Sequence, residues 1–281
     1  MIVDLKEKSG LGLKLDINRP ELAFDKDLEF SLPAIRTIEQ MREVLLDKDI
    51  RKPEELYYMY RDVHRFSDKP ILEENNLRYD VTVIKPFRLS KEFMKTAGHY
   101  HPENYGELYE VLSGRCFCLL QRPNPDDYRN IEEVIFVEAV AGQKIVIPPA
   151  FGHILINPGP DYLVTSNWVS SRFQSRYELY KKAGGAAYFV AVSNGEPKVT
   201  PNLGINVTII KNSHFTKLAD VKFAQPARQI KRFGLLENKP IYNLIIEDPQ
   251  KLDFLNRPLE YQYDDIFVYP VRNFNSARKQ G

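Results

Sequence analysis

Three of the chain's five histidines fall in two short stretches whose residue types suit a metal ion. The first stretch reads Thr96-Ala97-Gly98-His99-Tyr100-His101 and is followed by Glu107 and a Ser113-Gly114 turn. The second reads Pro148-Pro149-Ala150-Phe151-Gly152-His153 and is followed by Asn157. Three neutral imidazoles and a carboxylate suit Fe(II), Mn(II), Zn(II), Ni(II) or Cu(II), and in an octahedral site they leave positions open for water or substrate. A histidine alone on a strand is more often structural. The His-x-His pair, the carboxylate and the downstream Pro-Pro-x-x-x-His together favour the metal. His64 and His214 have no such setting and read as structural.

Such a site needs strands. Side chains alternate along a strand, so His99 and His101 share one face. Glu107 opens the next strand, with Tyr109 on its face and Glu110 on the opposite one. His153 comes from a later strand. Segments rich in β-formers are expected at Arg78–Lys85, Glu107–Leu112, Cys116–Gln121, Val134–Val140, Lys144–Ile147, His153–Ile156, Tyr162–Val169, Ala187–Val192 and Val207–Lys211. So many short strands, with few helical patterns between them, argue for an all-β antiparallel sandwich or barrel. Arg122 to Asp127, with two prolines, reads as a loop, and Asn194-Gly195 as a tight turn.

The flanks read differently. Residues 1–34 show little periodicity and are expected to form an arm that packs on something else. Apolar residues at Ile35, Ile38, Met41, Val44 and Leu45 predict an amphipathic helix over 35–47. Pro53 followed by Glu54 and Glu55 predicts a second helix carrying Leu56-Tyr57-Tyr58-Met59-Tyr60-Arg61. Residues 213–281 form an extension, with a helical turn at Lys251–Leu255, a strand at Ile266–Val268 and a frayed tail from Ser276.

The 39 basic and 38 acidic residues nearly cancel, which gives no case for nucleic acid or an anionic membrane. No apolar run approaches the roughly 18 residues that span a bilayer. Cys116 and Cys118 lie on one strand face, poor geometry for a disulfide, and read as reduced structural thiols of a cytoplasmic protein.

The two motifs resemble the paired motifs of the cupins. Within that group, Thr96-x-Gly98-His99-x-His101, Glu107-Leu108-Tyr109, Gly114, Leu119-Leu120-Gln121 and Pro148-Pro149-x-x-x-His153-x-x-x-Asn157 resemble the cupin-type glucose-6-phosphate isomerases, as do Tyr57-Tyr58-Met59-Tyr60-Arg61 and Tyr177. The resemblance spans about residues 35–200 and implies a cupin isomerase domain over 35–212. It implies reversible conversion of glucose 6-phosphate to fructose 6-phosphate, with one divalent metal per subunit: Fe2+ first, with Mn2+, Zn2+ or Ni2+ as alternatives. His99, His101, Glu107 and His153 would hold the ion, and Glu107 is the candidate base of a cis-enediol route. A hydride shift between the two carbons stays open. Thr82, Thr96, the Gly98 N–H and Tyr177 would contact the substrate phosphate, and Tyr109 would line the pocket. A homodimer is implied, to which residues 1–34 could contribute by exchange. An Fe(II) dioxygenase and a non-catalytic sugar-binding cupin are the competing readings of the same ligand set.

Overall fold

The structure, a computed structural model, describes residues 1–193, 198–199 and 205–270. The expected turn at Asn194-Gly195 and the tail from Ser276 lie outside the described residues.

The motif-bearing part is built from strands β4 (Ala34–Thr37), β5 (Glu55–Tyr60), β6 (Leu77–Ile84), β7 (Glu92–Lys95), β8 (Glu107–Ser113), β9 (Arg115–Asn124), β10 (Asp127–Val140), β11 (Lys144–Ile147), β12 (Gly152–Asn157), β13 (Leu163–Ser170), β14 (Tyr188–Val192) and β15 (Asn206–Lys211). Among the described residues, one sheet has six strands in the order β11-β8-β13-β6-β5-β4, and the one facing it has eleven, with β15-β14-β7-β12-β9-β10 in consecutive contact. This is the expected all-β cupin barrel.

Register explains why the six-stranded sheet is apolar on one side and polar on the other. β8, β13 and β6 pair Glu107 with Val169 and Val169 with Arg78, then Tyr109 with Asn167 and Asn167 with Asp80. One more step pairs Thr165 with Thr82 and Thr82 with Met59 of β5. Residues paired across strands share a face, so these rows all point into the barrel. The alternate residues point outward: Tyr79 packs edge-on to Trp168 at 5.0 Å and to Tyr242 at 5.1 Å. Burying each such aromatic contributes about 1.5–3 kcal/mol. Glu110 points to this outer face, meets Lys144 at 3.0 Å and accepts the Ile241 N–H at 2.9 Å. Trp168 Nε1 donates to the Ile241 carbonyl at 2.9 Å. Part of the 213–270 segment thus covers the sheet that holds the site.

Four expectations are corrected in this part of the fold. The Leu56–Tyr60 run is not a helix but lies in strand β5, which ends just before Arg61. Its real period is two, with Tyr57 and Met59 facing the cavity while buried Leu56, Tyr58 and Tyr60 face away. The 35–47 helix begins late. Ala34–Thr37 is an edge strand, and Thr37 then caps a helix over Ile38–Met41 through a reciprocal bond with Gln40, followed by a tighter turn at Arg42–Val44. Only Ile38, Met41, Val44 and Leu45 of the apolar series are buried. Finally, residues 1–34 are not irregular. β1 (Ile2–Asp4), β2 (Leu13–Asp16) and β3 (Glu21–Phe24) form a sheet whose Leu13, Leu15 and Leu22 join this chain's own core. Similarly, Arg122–Asn124 and Asp127 extend the β9–β10 hairpin rather than forming a loop. The helical turn expected at Lys251–Leu255 is present within Pro249–Leu255, and Phe267–Val268 is a strand.

Candidate metal centre

The site starts at a turn. Gly98 adopts φ +79, and a Cβ there would lie 2.4 Å from Ile154 Cγ2 and 2.6 Å from the Tyr180 ring. Only glycine fits both the conformation and the space. The strand expected through His99 and His101 is instead an extended segment that bridges to β12 at one residue: the His99 N–H donates to the His153 carbonyl at 3.3 Å, and the His153 N–H to the His99 carbonyl at 3.1 Å. This pairing sets two imidazoles side by side. His101 is fixed by a 2.9 Å contact between Nδ1 and the Tyr105 carbonyl. A carbonyl only accepts, so Nδ1 carries the proton and Nε2 presents its lone pair inward.

Glu107 completes the group. One ligand atom from each of His99, His101, Glu107 and His153 lies within 4.8 Å of all the others. His153 Nε2 is 3.0 Å, His101 Nε2 3.2 Å and His99 Nε2 3.8 Å from Glu107 Oε2. His99 Nε2 lies 3.0 Å from His101 Nε2. The other carboxylate oxygen, Oε1, accepts from Asn167 Nδ2 at 2.8 Å. Buried acceptors crowded in this way repel one another unless a proton or cation lies between them. Oε2 is a buried oxygen without a hydrogen-bond donor. The donor set therefore fits a borderline divalent metal, and its chemistry supports a bound metal ion.

Electrostatics agree. Burial pushes the His99 imidazole down to about 3, reinforced by His153. Burial also lowers His153. For Glu107 burial acts upward, but the imidazoles of His101, His153 and His99 override it and hold the carboxyl well below its usual range. All three groups favour the deprotonated forms that ligate metals. The Tyr109 hydroxyl, 3.2 Å from His153 Nε2, is pushed far up by burial and by Glu107, so it stays protonated.

His99 and Glu107 open onto a cavity of about 470 Å³. Thr82, Thr96, Gly98, Tyr109 and Tyr177 all line it. Thr96 Oγ1 already accepts the Leu155 N–H at 3.0 Å, leaving its own hydrogen to donate. Reading the sequence missed other lining residues. Arg61, Arg78 and Asn167 face the cavity, and Tyr57 lines it as well as packing. The signal was there: each continues the period-two alternation of its strand, and Asn167 interrupts an otherwise apolar run. Arg61 and Arg78 share the fully buried Asp80, which Arg78 Nε meets at 2.9 Å. His64 and His214 lie elsewhere, bonded to the Arg65 carbonyl and to Asn212 Oδ1. Cys116 and Cys118 are free and buried, with burial raising both thiols.

Barrel and ligand set together define a cupin with a candidate mononuclear metal centre. The family model described as "Glucose-6-phosphate isomerase (GPI)" matches residues 36–203, and the chain belongs to that family. The glucose-6-phosphate isomerase of Pyrococcus abyssi is 25% identical over 201 residues, covering 69% of this chain and 96% of that protein. That of Thermococcus litoralis is 28% identical over 158 residues, covering 55% and 75%. Among solved structures, oxalate decarboxylase from Bacillus subtilis is similar over 43% of this chain and 27% of its own, at 17% identity and a TM-score of 0.31. So distant a structural likeness carries no functional weight.

Proposed function

We infer that the chain is a metal-dependent aldose–ketose isomerase that interconverts glucose 6-phosphate and fructose 6-phosphate. The observation that carries this reading is the convergence of His99, His101, His153 and Glu107 within 4.8 Å, at the wall of a cavity, inside the segment matched by the isomerase family. A divalent cation held by the three imidazoles and Glu107 Oε2 would supply Lewis-acid polarisation of the two neighbouring sugar oxygens. The chain's own residues do the rest. Glu107 is the proposed proton carrier between C1 and C2, and Asn167 orients it. Tyr109 keeps its proton and can donate to an oxygen that gains charge. Thr82, Thr96, the Gly98 N–H and Tyr177 are the proposed phosphate contacts.

Iron(II) is the proposed native metal, and the working form is proposed to be a homodimer in the cytoplasm. Among the described residues no helix is long and apolar enough to cross a membrane. The test is a coupled isomerase assay on chelator-stripped protein, with Fe2+, Mn2+, Zn2+ and Ni2+ returned one at a time under anaerobic conditions. Turnover without dioxygen separates isomerase from oxygenase. Sugar phosphate binding without turnover, in fully reconstituted protein, would leave only a sensor.

A further inference from the structure

A smaller recess joins the main cavity, sharing Ala97, Gly98, Tyr177 and Glu178 with it. Among the described residues, the Arg and Lys side chains lining the two spaces are Arg36, Arg61, Arg78 and Lys181. Three are committed to carboxylates. Arg61 and Arg78 are held by Asp80, and Lys181 meets Glu43 at 3.2 Å.

Arg36 differs. Among the described residues it forms no ion pair, and its Nε is buried with no hydrogen-bond partner. An unsatisfied buried donor is costly, and a charged one more so. The residue is nonetheless firmly placed. Arg36 is the cross-strand partner of Tyr57 in the β4–β5 pair. Its guanidinium carbon lies 6.0 Å from the Tyr57 ring centroid and 5.4 Å from that of Tyr177, within range of cation–π attraction to both. The Tyr57 hydroxyl accepts the Ala97 N–H at 3.2 Å, which ties this corner to the Gly98 turn.

We propose that Arg36 is the charged anchor for the substrate's phosphoryl group, a role that rests on the sugar-phosphate isomerase reading. A guanidinium presents a planar fork of donors that matches phosphate oxygens in pairs, and its charge is not spent on a carboxylate. In the smaller recess beside Gly98 and Tyr177 it sets positive charge next to the main cavity. The anionic Glu107 lines the main cavity itself, among the imidazoles. A sugar phosphate entering this field orients with its phosphoryl group toward Arg36 and its C1–C2 end toward the metal centre. Arg36 thereby selects phosphorylated over free sugars without touching the reacting carbons.

The test compares wild type with Arg36→Gln and Arg36→Lys by titration calorimetry with inorganic phosphate and by steady-state kinetics with fructose 6-phosphate. In Arg36→Gln the KM and the phosphate dissociation constant should both rise about 10- to 100-fold, the loss of a charged hydrogen-bonded contact, while kcat moves far less. Arg36→Lys should recover part of both at low ionic strength, where a point charge still attracts phosphate. Metal content measured alongside separates anchoring from folding. If the Gln variant loses metal, the Lys variant carries the test, with its phosphate affinity below wild type at full metal content. Unchanged phosphate affinity and KM in metal-replete variants would overturn the proposal. Arg36-dependent phosphate binding in a wild type that fails to isomerise would uphold the anchor and reject the isomerase reading.

Discussion

Asn167 donates from Nδ2 to Glu107 Oε1 at 2.8 Å, so that Oε2 alone faces the three imidazoles. The amide thus divides the carboxylate into one oxygen held by the protein and one offered to the metal. Partners of this kind typically cost about 10- to 100-fold in metal affinity or activity when removed. Asn167→Ala is expected to weaken metal binding and turnover within that range and leave the fold intact. Metal titration with a competing chelator reads the first, and the coupled assay the second. Wild-type values for both would mean that Oε1 needs no support.

Glu107 has two demands on it. A carboxyl held well below its usual range by His101, His153 and His99 is ionised at neutral pH, yet correspondingly weak as a base. Glu107→Gln should retain some affinity for sugar phosphate and lose most turnover, by about 100-fold or more if it moves the proton. Isomerisation in deuterium oxide adds the mechanistic readout. Exchange of solvent deuterium into C1 or C2 supports the enediol route, whereas its absence at full turnover supports direct transfer between the carbons. Wild-type turnover in Glu107→Gln at unchanged metal content would remove the residue from the reaction.

The histidines should be unequal in their effects. His153 and His101 are almost wholly enclosed, whereas the His99 side chain keeps 16% of its exposure and opens to the cavity. Alanine at any of the three is expected to lower bound metal. His101→Ala and His153→Ala should also lower stability by about 1–3 kcal/mol, since each leaves buried polar partners unpaired. Elemental analysis and urea unfolding of the metal-free proteins test the two halves separately. Full metal occupancy in all three variants would end the metal assignment.

Acidification should unfold the metal-free protein through His99. Burial holds its imidazole at about 3 in the folded chain, against about 6.5 when unfolded. Below about 6.5 the unfolded chain takes up a proton that the folded chain refuses. The stability it contributes is therefore present above that pH and lost as pH falls toward 3. Glu107, also depressed, acts in the same direction at lower pH. Glu110 acts in reverse. Burial raises it to about 7 against Lys144, so its contribution falls as pH rises from the carboxylate range through 7. Comparing wild type with His99→Gln at each pH isolates the first effect. The acid limb of the melting-temperature profile should flatten in the variant, and superimposable profiles would refute the assignment.

What could be read from the sequence follows physical locality. The candidate quartet was legible because each motif is contiguous, and the extended segment after β7 brings His99 and His101 together even without a continuous strand. Tyr109 was legible from the same rule, two residues on from Glu107. Arg36, Arg61, Arg78 and Asn167 were not, because register across β13, β6, β5 and β4 is set by long-range pairing that no local pattern reveals. The Tyr57–Arg61 error has a similar source. Pro53, Glu54 and Glu55 give a convincing helix start, but burial on both faces turned a period-two segment into an almost unbroken aromatic run. The N-terminal sheet was missed because strands of three or four residues show too few alternations to stand out.

Gly98 connects the fold to the chemistry without contributing a side chain. Its φ of +79 costs a non-glycine residue roughly 1–3 kcal/mol, and the added methyl would press on Ile154 and the Tyr180 ring. Ile154 adjoins His153 on β12, so relief of that clash moves a metal ligand. Gly98→Ala should therefore lower stability by about 2–4 kcal/mol and weaken metal binding, although no ligand is changed. Gly159 serves as the control, because a Cβ there meets Asn157 Oδ1 at 3.5 Å, an ordinary contact. Gly159→Ala should stay within about 0.5 kcal/mol of wild type. Urea unfolding with and without metal measures both variants. A Gly98→Ala protein that unfolds and binds metal like the Gly159→Ala control would show that the turn preceding His99 does not set the site.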